Sequence, residues 1–364
     1  MQEFQTNKNN LTQTRLIQTP VKAISEGEVL VNIDRFAFTA NNITYAVMGE
    51  HLRYWQFFPA NGDEPQNWGI IPVWGFADVV QSNSDELAVG ERLFGYFPPA
   101  NTLIMTPSKV THSSFIEASP HRSELPPSYN MYRRVNNEPG YNKTNDNQRM
   151  LLFVLHLTSF CLHDLLESNH WFNAEQVIII SASSKTSTGL AYGLANDEST
   201  PLTIGLTSQR NLDFVNAIDV YDSVVSYDDI EKIDASKATV IIDMSANTDV
   251  LSRLHTHLGD NMRYTSNVGL THWNEPRQVE GIIQQRSHQF FAPSHIQQRI
   301  KDWGAEEFGK RSHNYLANST AKSRSWLKID ELEGVDALAD VYQNVCDGKV
   351  AADRGLVVVM KETK

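Results

Sequence analysis

Short apolar segments alternate with helical patterns between residues 150 and 270, and this alternation constrains the fold more than any other feature of the chain. The apolar segments are rich in Val and Ile and are too short for helices. Strands of a parallel sheet are continuous apolar runs because helices cover both faces of the sheet. The pattern predicts a doubly wound α/β domain. Its predicted elements are helices at Met150–Glu167 and Thr188–Leu194 and strands at Gln176–Ser181, Leu202–Ser208, Ser223–Tyr227, Ala238–Ser245 and Arg263–Leu270.

Residues 1–135 have a different pattern, with short strands and many turns. Glu28–Phe38 alternates apolar and polar residues, as a half-buried strand does, and Ile71–Val80 is a second predicted strand. Six prolines between Pro98 and Pro127 oppose long helices in this region. The polar segment 136–148 marks a predicted domain boundary, and a last strand is predicted at 355–361.

The composition excludes several classes of function. The net charge of −12 argues against a nucleic-acid partner, because phosphate backbones are bound by basic surfaces. The N-terminal residues lack an apolar signal segment, and no apolar run approaches the about 20 residues that span a membrane. Two cysteines, Cys161 and Cys346, exclude a disulfide framework and a four-cysteine zinc site. We therefore expect a cytoplasmic protein that acts on a small molecule and has no membrane contact.

The strand at Gln176–Ser181 is followed by a loop of small hydroxyl residues and then by a helix. Such a turn points backbone N–H groups and the positive end of the helix dipole at one place, which suits a phosphate. The loop lacks the glycine pattern GxGxxG, and small residues replace the glycines. An alternative stays open, in which the serines only cap an ordinary helix. The predicted cofactor-binding residues of this loop are Ser181, Ala182, Ser183, Ser184, Lys185 and Thr186.

The second strand of the α/β domain ends in the sequence GLTSQRN. A site for NAD usually has an acidic residue here, about 20 residues after the loop, which binds the ribose 2′-hydroxyl. This chain has no acidic residue in the segment until Asp213, and it offers two hydroxyls and an arginine instead. Such donors suit a 2′-phosphate, so the sequence favours NADP(H) over NAD. The alternative is a solvated arginine. The predicted residues are Thr207, Ser208, Arg210 and Asn211.

These stretches together resemble the zinc-free, quinone oxidoreductase-like branch of the medium-chain dehydrogenase/reductase superfamily, and most closely the bacterial DUF2855 family. The resemblance is carried by SASSKT at 181–186, TANNITYAVMG at 39–49, IPVWGFADVV at 71–80, GERLFGYFPP at 90–99, YNMY at 129–132 and GLTSQRN at 205–211. It implies a GroES-like β-barrel over residues 1–140, completed by 315–364, and a Rossmann NADP-binding domain over 141–314. It also implies an active site in the cleft between the domains and a homodimer formed through the Rossmann domain.

The resemblance implies Tyr45 as an orienting or proton-donating residue, because related quinone reductases place a tyrosine facing the nicotinamide there. Asn41 lies beside it. An equally weighted alternative is that Tyr45 belongs to the barrel core. Weaker candidates for lining a substrate pocket are Tyr54, Trp55, Tyr129 and Tyr132. The aromatic segment 51–68 either contributes to that pocket or packs its aromatics on itself as a surface loop.

Residues after the fourth and fifth strands of the α/β domain lie at strand carboxyl ends. We expect Ser245, Asn267 and Gly269 to contact the ribose and nicotinamide. No metal site is predicted, because residues 1–140 contain no cysteine, the Cys161–His163 pair lies in an apolar helix, and His255 and His257 have poor spacing for one helical face. A Tyr-x-x-x-Lys pair and a GxSxG motif are absent, which argues against a short-chain reductase and an α/β-hydrolase.

Three hypotheses about function follow. The first is an NADPH-dependent reductase of a quinone, an enone or an enoyl thioester, which acts by hydride transfer without zinc. The second is a nucleotide-binding sensor or partner-binding protein without turnover, since the chain has no strong acid–base pair. The third is an enzyme that performs non-redox chemistry on an acyl substrate.

Overall fold

The computed structural model describes residues 1–269 and 280–361. The chain forms two compact units, one made of Met1–Leu151 and Leu327–Lys364 and the other of Leu152–Trp326. These boundaries differ from the predicted ones at 140 and 314. Residue 140 precedes the helix at Asp146–Ser168, and residue 314 lies inside the helix at Ala305–Ser323, so the chain crosses between units at 151 and 326 instead. The roles predicted for the two domains stay predictions.

The first unit is built mainly from antiparallel strands, as the alternating patterns and prolines of residues 1–135 predict. Its only helices before residue 146 are short, so the prolines act as expected. The elements of this part are β1 (Gln2–Asn7), β2 (Asn10–Gln18), β3 (Val29–Phe38), α1 (Ala40–Val47), β4 (Trp68–Gly69), β5 (Val73–Ser82), β6 (Arg92–Phe97), β7 (Thr102–Met105), β8 (Pro107–Ser108), β9 (Ser114–Glu117), α2 (Pro127–Asn130) and β10 (Met131–Arg134).

The second unit contains the predicted parallel sheet. Its elements are α3 (Asp146–Ser168, which begins in the first unit), β11 (Gln176–Ile180), α4 (Lys185–Leu194), β12 (Leu202–Thr207), α5 (Leu212–Ile218), β13 (Ser223–Ser226), β14 (Thr239–Asp243), α6 (Thr248–Leu258), β15 (Met262–Asn267), β16 (Ser287–Gln289), α7 (Ala292–Trp303) and α8 (Ala305–Ser323). The sheet order is β13-β12-β11-β14-β15-β16, and every neighbouring pair is parallel. The predicted fifth strand extends to Leu270, which lies outside the described residues.

Helices cover both faces of this sheet because its central strands are apolar on both sides. On one face Ile178, Leu206 and Ile241 pack with α6, and on the other face Val177 and Ile242 pack with α3 and α4. Burial of each such side chain stabilises the fold by about 1.5–3 kcal/mol. The segment Lys143–Ser168 is long and apolar enough for a membrane span, but most of its apolar window is buried in the fold. It is the core helix of the parallel-sheet unit.

The C-terminal residues return to the first unit as β17 (Lys328–Glu333), α9 (Asp336–Cys346) and β18 (Arg354–Val359). The last strand lies inside the large sheet, between β17 and β3, in the order β17-β18-β3-β5-β6-β10-β9-β8. Leu356 pairs with Phe38, and Val357 and Val358 are fully buried. The C-terminal segment therefore supplies a core strand, β18, and the neighbouring strand β17 to a unit whose other strands come from residues 1–134.

Candidate functional site

The candidate cofactor site lies at the carboxyl ends of the parallel strands. The chain passes from β11 to β12 on one side, and it crosses to β14 on the other side of β11. The strand order therefore reverses between β11 and β14, and ligands of open α/β sheets bind at such a reversal, outside the carboxyl ends. The residues after Ile180 and Asp243 form this place.

The loop after β11 makes a tight turn that begins at Ser181. Ser181 has a φ of 62°, in the left-handed region that favours glycine. The N–H of Ala182 donates to the carbonyl of Leu206 on β12 at 3.1 Å, and the Tyr221 hydroxyl donates to the Ala182 carbonyl at 3.0 Å. The turn is thus fixed to its neighbouring strand, and it leads directly into α4.

The serines of this loop are used within the protein. Ser184 caps α4, because its hydroxyl accepts from the Ser187 N–H at 3.1 Å. The Ser183 hydroxyl, which is buried, accepts from Asn211 Nδ2 at 2.9 Å. The capping alternative raised by the sequence therefore holds for Ser184. Capping and phosphate binding are compatible, since a helix begins with four N–H groups that have no partner within it. Lys185 and Thr186 are the first helical residues, where such N–H groups lie.

The end of β12 brings the predicted 2′-phosphate residues beside this turn. Thr207 is almost fully buried, and its hydroxyl has no hydrogen-bond partner. A buried polar atom without a partner is unusual and marks a place where a ligand can complete the bonding. Ser208 is half-buried and Arg210 is exposed on the short turn that follows. Asn211 is engaged with Ser183, so its amide supports the loop.

Tyr227, just after β13, belongs to the same place and was not among the predicted residues. Its hydroxyl hydrogen-bonds to Ser181, and Arg210 and Asp243 act on it through their charges. Burial raises the pKa of Tyr227, so its hydroxyl stays protonated at neutral pH. A signal was present in the sequence, because Tyr227 directly follows the third strand of a parallel sheet and so lies at a carboxyl end.

The loops after β14 and β15 are packed against each other. Asp243, which is buried, accepts at Oδ1 from the N–H and the hydroxyl of Ser245 at 2.8 and 2.7 Å. The N–H of Gly269 donates to the Asp243 carbonyl at 3.0 Å. A Cβ at Gly269 would lie 2.9 Å from the backbone nitrogen of Ala246, so only glycine fits there. The Oδ1 of Asn267 is buried without a hydrogen-bond partner. Among the residues of these two loops, Asn267 is therefore the candidate for binding the cofactor.

A second candidate group lies in the first unit around Tyr45, on α1. The ring centroid of Tyr45 lies 4.7 Å from Tyr54, 5.5 Å from Tyr96 and 6.4 Å from Tyr129. The Tyr54 and Tyr129 hydroxyls lie 3.1 Å apart, and Trp74 Nε1 donates to the Tyr45 hydroxyl at 3.3 Å. Burial raises the pKa of Tyr45 far above its ordinary value, so its hydroxyl is a proton-bearing donor at neutral pH.

The predicted residues Tyr45, Tyr54 and Tyr129 thus come together. Asn41 joins them, because the side chain of Asn41 hydrogen-bonds to the Tyr45 hydroxyl. Asn42, by contrast, is buried, accepts from the N–H of Thr39 at 2.7 Å and donates to the carbonyl of Pro72 at 2.8 Å. It caps α1 and holds it to the chain before β5.

Trp55 and Tyr132 are packed separately from this group. Trp55 lies between two glycines, since a Cβ at Gly49 or Gly69 would fall within 2.4 Å of its ring. Tyr132 is fully buried, its hydroxyl donates to the carbonyl of Tyr96, and Arg122 Nη1 donates to that hydroxyl at 3.0 Å. Both side chains have packing roles in this structure, and the Tyr132 hydroxyl touches the group around Tyr45 at the backbone carbonyl of Tyr96. The two alternatives for the aromatic segment 51–68 therefore each describe part of it. Tyr54 belongs to the Tyr45 cluster, and Trp55 packs against Gly49 and Gly69.

A buried ion pair holds the turn that carries Tyr54. Arg122 Nε lies 3.2 Å from Glu117 Oε2, and both side chains are 2% exposed. Arg122 Nε also donates to the carbonyl of Phe57 at 3.1 Å, and its own carbonyl accepts from Asn130 Nδ2 at 3.1 Å. Arg122 therefore connects the turn of Tyr54 with α2, which carries Tyr129.

The histidines that were considered as metal ligands have other partners. His255 Nε2 lies 2.9 Å from the Thr265 hydroxyl, and His257 Nε2 lies 2.8 Å from the Ile233 carbonyl. His163 pairs with Asp197, and Cys161 is buried in the core between α3 and α8. Across residues 1–269 and 280–361, no three His, Cys, Asp or Glu side chains come together in a way that would hold a metal ion.

Two depressions of the second unit, of about 280 and 340 Å³, lie at the other end of the sheet. They are lined by residues at the amino ends of the strands, such as Gln176, Leu202 and Asp222. None of the predicted site residues lines them. We assign the site to the carboxyl ends, because the strand order reverses there and ligands of open α/β sheets bind at such a reversal.

Comparison with solved structures finds the same fold at low sequence identity. CurA from Vibrio vulnificus, solved in complex with NADPH, is 11% identical over 100% of both chains, with a TM-score of 0.64. A mutant enoyl thioester reductase from Candida tropicalis is 12% identical over 98% of this chain and 99% of its own, with a TM-score of 0.56. The quinone oxidoreductase from Coxiella burnetii is 14% identical over 99% of both chains, with a TM-score of 0.56.

These likenesses confirm the predicted fold class, an antiparallel β domain with a Rossmann-like parallel-sheet domain as in the medium-chain dehydrogenase/reductase superfamily. A sequence comparison with curated proteins finds no match. One family model, described as "Protein of unknown function (DUF2855)", matches residues 36–351. Because this match covers most of the chain, the protein belongs to the DUF2855 family.

Proposed function

We propose that this protein is an NADPH-dependent oxidoreductase that reduces a quinone, an enone or an enoyl substrate by hydride transfer without zinc. The observation that carries the proposal is the turn at Ser181, which opens α4 at the reversal of the strand order. At the same edge of the sheet, the Thr207 hydroxyl on the neighbouring strand and the Asn267 amide oxygen two strands away are buried without a hydrogen-bond partner. The solved structures with this fold include a protein bound to NADPH, which supports the choice of cofactor.

The described residues fit a dinucleotide with a 2′-phosphate. The first turn of α4, at Lys185 and Thr186, offers N–H groups to the pyrophosphate. Thr207, Ser208, Arg210 and Tyr227 offer hydroxyls and a guanidinium to the 2′-phosphate, in a segment with no acidic side chain before Asp213. Asn267 offers an amide to the nicotinamide end. Bound NADPH would supply the hydride.

In this proposal Tyr45 orients or protonates the reducible group of the substrate. Its buried phenol bears a proton at neutral pH and is positioned by Asn41 and Trp74. Tyr54 and Tyr129 complete a buried group of hydroxyls and ring faces, whose chemistry suits a planar conjugated carbonyl once their mutual hydrogen bond opens. A hydrogen bond to the carbonyl oxygen stabilises the negative charge that develops there on hydride addition.

The cofactor assignment is tested by titration with NADPH and with NADH, followed by nicotinamide fluorescence. We expect the wild-type protein to bind NADPH more tightly. Arg210→Ala should raise the Kd for NADPH by about tenfold or more, which corresponds to the loss of a charge-assisted hydrogen bond. The Kd for NADH should stay nearly unchanged. Arg311→Ala, which removes an exposed arginine of α8 from its pair with Glu307, is the matched control. No binding of either nucleotide, or equal losses for both after Arg210→Ala, would contradict the assignment.

Turnover is tested with NADPH and two probes, a naphthoquinone and a short trans-2-enoyl thioester. We expect Tyr45→Phe to lower kcat for the accepted probe by about 10²-fold, as loss of a proton donor does. Tyr342→Phe, at another buried tyrosine of the first unit, should leave kcat unchanged. Equal activity of Tyr45→Phe and the wild type would remove the role proposed for Tyr45.

A nucleotide-binding protein without turnover is the second candidate. It is favoured by the close packing of the tyrosines, since Tyr45, Tyr54 and Tyr129 are all less than a tenth exposed and their hydroxyls have protein partners. Tight NADPH binding with no oxidation across a broad panel of carbonyls and quinones would support it. The small-molecule substrate and the homodimer stay predictions, and the mass of the protein in solution tests the latter.

A further inference from the structure

Helix α3 presents two buried polar side chains to the first turn of α4. His156 and Ser159 are both fully buried. The Ser159 hydroxyl donates to the carbonyl of Thr186 at 2.7 Å and, more weakly, to the Leu155 carbonyl of its own helix at 3.0 Å. His156 lies directly on the helix, since a Cβ at Gly189 would come within 2.6 Å of its Cδ2. Glycine at position 189 is what lets the two helices approach so closely.

The His156 ring is oriented from behind by α8. Its Nδ1 lies 2.8 Å from the hydroxyl of Ser319. The other ring nitrogen, Nε2, is buried without a hydrogen bond of normal geometry, although the ring interacts with the backbone carbonyl of Lys185. Burial lowers the pKa of His156 to about 3, so the ring is neutral at physiological pH. With its proton on Nε2, the neutral imidazole points a donor at that carbonyl and accepts at Nδ1 from Ser319, in competition with the bond of 2.9 Å from the Ser319 hydroxyl to the Tyr315 carbonyl.

The carbonyls of Lys185 and Thr186 belong to the peptide groups that open α4. The peptide unit that contains the Lys185 carbonyl carries the N–H of Thr186. The unit that contains the Thr186 carbonyl carries the N–H of Ser187, which binds the capping hydroxyl of Ser184. A hydrogen bond to the carbonyl of an amide polarises the amide and strengthens its N–H as a donor. His156 therefore acts on the peptide unit of the Thr186 N–H, and Ser159 acts on that of the Ser187 N–H, whose bond to Ser184 holds the turn in position.

Ordinary packing would place apolar residues at these positions, as α3 and α4 do elsewhere with Leu162, Leu166, Leu190 and Leu194. Burying an imidazole and a hydroxyl between two helices is unfavourable unless their polar atoms are bonded. Of the two ring nitrogens of His156, Nδ1 has a hydrogen bond of normal geometry and Nε2 has none, so the buried ring is only partly satisfied within the protein. Hydrogen bonds in a binding site often shorten only when the ligand is bound.

We propose that His156 and Ser159 are positioning residues for the pyrophosphate of the cofactor. By holding the Lys185 and Thr186 carbonyls, they fix the direction and donor strength of the N–H groups in the first turn of α4. They affect cofactor affinity although neither side chain touches the ligand. This inference rests on the proposed function, because it requires that the turn bind a dinucleotide.

The test compares two ligands in wild type and variants, NADPH and adenosine 2′-monophosphate, which has the 2′-phosphate but no pyrophosphate. We expect Ser159→Ala and His156→Leu to raise the Kd for NADPH by about threefold to tenfold, the usual effect of one hydrogen bond. The Kd for adenosine 2′-monophosphate should stay within about twofold. His156→Gln, whose amide nitrogen replaces Nε2, should restore most of the NADPH affinity.

Ser312→Ala is the matched control, because Ser312 is a buried hydroxyl that donates only to carbonyls of its own helix. Its NADPH affinity should equal that of the wild type. If His156→Leu does not fold, Ser159→Ala carries the test, since it removes a single atom. Equal weakening of both ligands, or unchanged NADPH affinity in both variants, would overturn the positioning role while the proposed function stands. Failure of the wild type to bind NADPH would overturn both.

Discussion

His255 shows how one buried side chain sets a pH dependence in the second unit. Its Nδ1 accepts from the N–H of Ile283 at 3.0 Å, so the proton of the neutral ring is on Nε2, beside the Thr265 hydroxyl. Burial lowers the pKa of His255 from 6.5 to about 4. Protonation at Nδ1 would break the bond to Ile283 and leave a charge in the core.

We therefore expect the free energy of unfolding to fall as the pH is lowered from about 6.5 towards 4. In that range the unfolded chain binds a proton at this histidine and the folded protein does not, so acid favours unfolding, by up to about 3 kcal/mol. Urea denaturation at pH 7.5 and at pH 5 measures the effect. His255→Asn should reduce the difference between the two pH values, and His112→Asn, at an exposed histidine, should not. An unchanged difference in His255→Asn would contradict this account.

Ser181 provides a second prediction at the residue scale, because its left-handed φ is strained for any residue with a Cβ. The strain amounts to about 1–2 kcal/mol. Ser181→Gly should therefore be more stable than Ser181→Ala by about 1 kcal/mol, after allowance for the greater freedom of glycine in the unfolded chain. Thermal unfolding of the two variants tests this. Equal melting temperatures would show that the turn relaxes without strain.

At the scale of elements, the buried pair of Glu117 and Arg122 connects three separate segments. Glu117 lies on β9, Arg122 follows it, and the arginine bonds the turn at Phe57 as well as Tyr132 on β10. Each charge of a buried ion pair needs the other, because an unpaired charge in the core carries a large desolvation penalty. The Tyr45 cluster thus depends on two charges that do not belong to it.

The two single substitutions at this pair should together lower the free energy of unfolding by more than the double substitution does. We expect Glu117→Gln to lower the free energy of unfolding by about 3–5 kcal/mol, because it leaves the arginine buried without its partner. Adding Arg122→Met should cost less than the same change in the wild type, with a coupling of about 1 kcal/mol or more. The exposed pair of Arg53 and Glu124 is the control and should show a coupling near zero. Additive changes at Glu117 and Arg122 would refute the argument.

Much of the element pattern was predictable from the sequence. The strands at β3, β5, β11, β12, β14 and β18 were predicted within a few residues, because apolar runs and alternation depend on burial alone. The long helix α3 was predicted for the same reason. The loop after β11 was recognised from its place between a strand and a helix.

The sequence could not assign the individual side chains of the site. Tyr54 and Trp55 are neighbours, yet one joins the Tyr45 cluster and the other packs on Gly49 and Gly69, because that choice depends on distant segments. The sequence predicts the same pocket-lining role for Tyr132 as for Tyr129, but the buried Arg122 donates a hydrogen bond to the Tyr132 hydroxyl. His156 was read as part of an apolar helix, since its contact with α4 is set by the packing of two helices.

At the scale of the whole molecule, the first unit is discontinuous in sequence. Its strand β18 comes from the C-terminal residues and pairs with β3, whereas the second unit is a single stretch between 152 and 326. Without β18, the edge of β3 and the core around Val357 and Val358 would be open to water. The second unit has its full parallel sheet without these residues.

A chain that ends at residue 326 should therefore lose the structure of the first unit and keep that of the second. Hydrogen exchange measured by mass spectrometry should show protection at β11, β12 and β14 but not at β3, β5 and β6. Adding a peptide of residues 327–361 should restore protection in the first unit. Protection of β3 in the truncated chain alone would show that β18 is dispensable.

The placement of β18 also has a consequence for biosynthesis. A ribosome that translates this message releases β3 well before β18, because the whole second unit lies between these two strands in sequence. In the nascent first unit the edge of β3 that pairs with β18 therefore stays uncovered while the intervening second unit is synthesised. We expect the time taken to translate the residues between β3 and β18 to set how long this edge is exposed, and we expect chaperones that hold unfinished sheets to act during that interval.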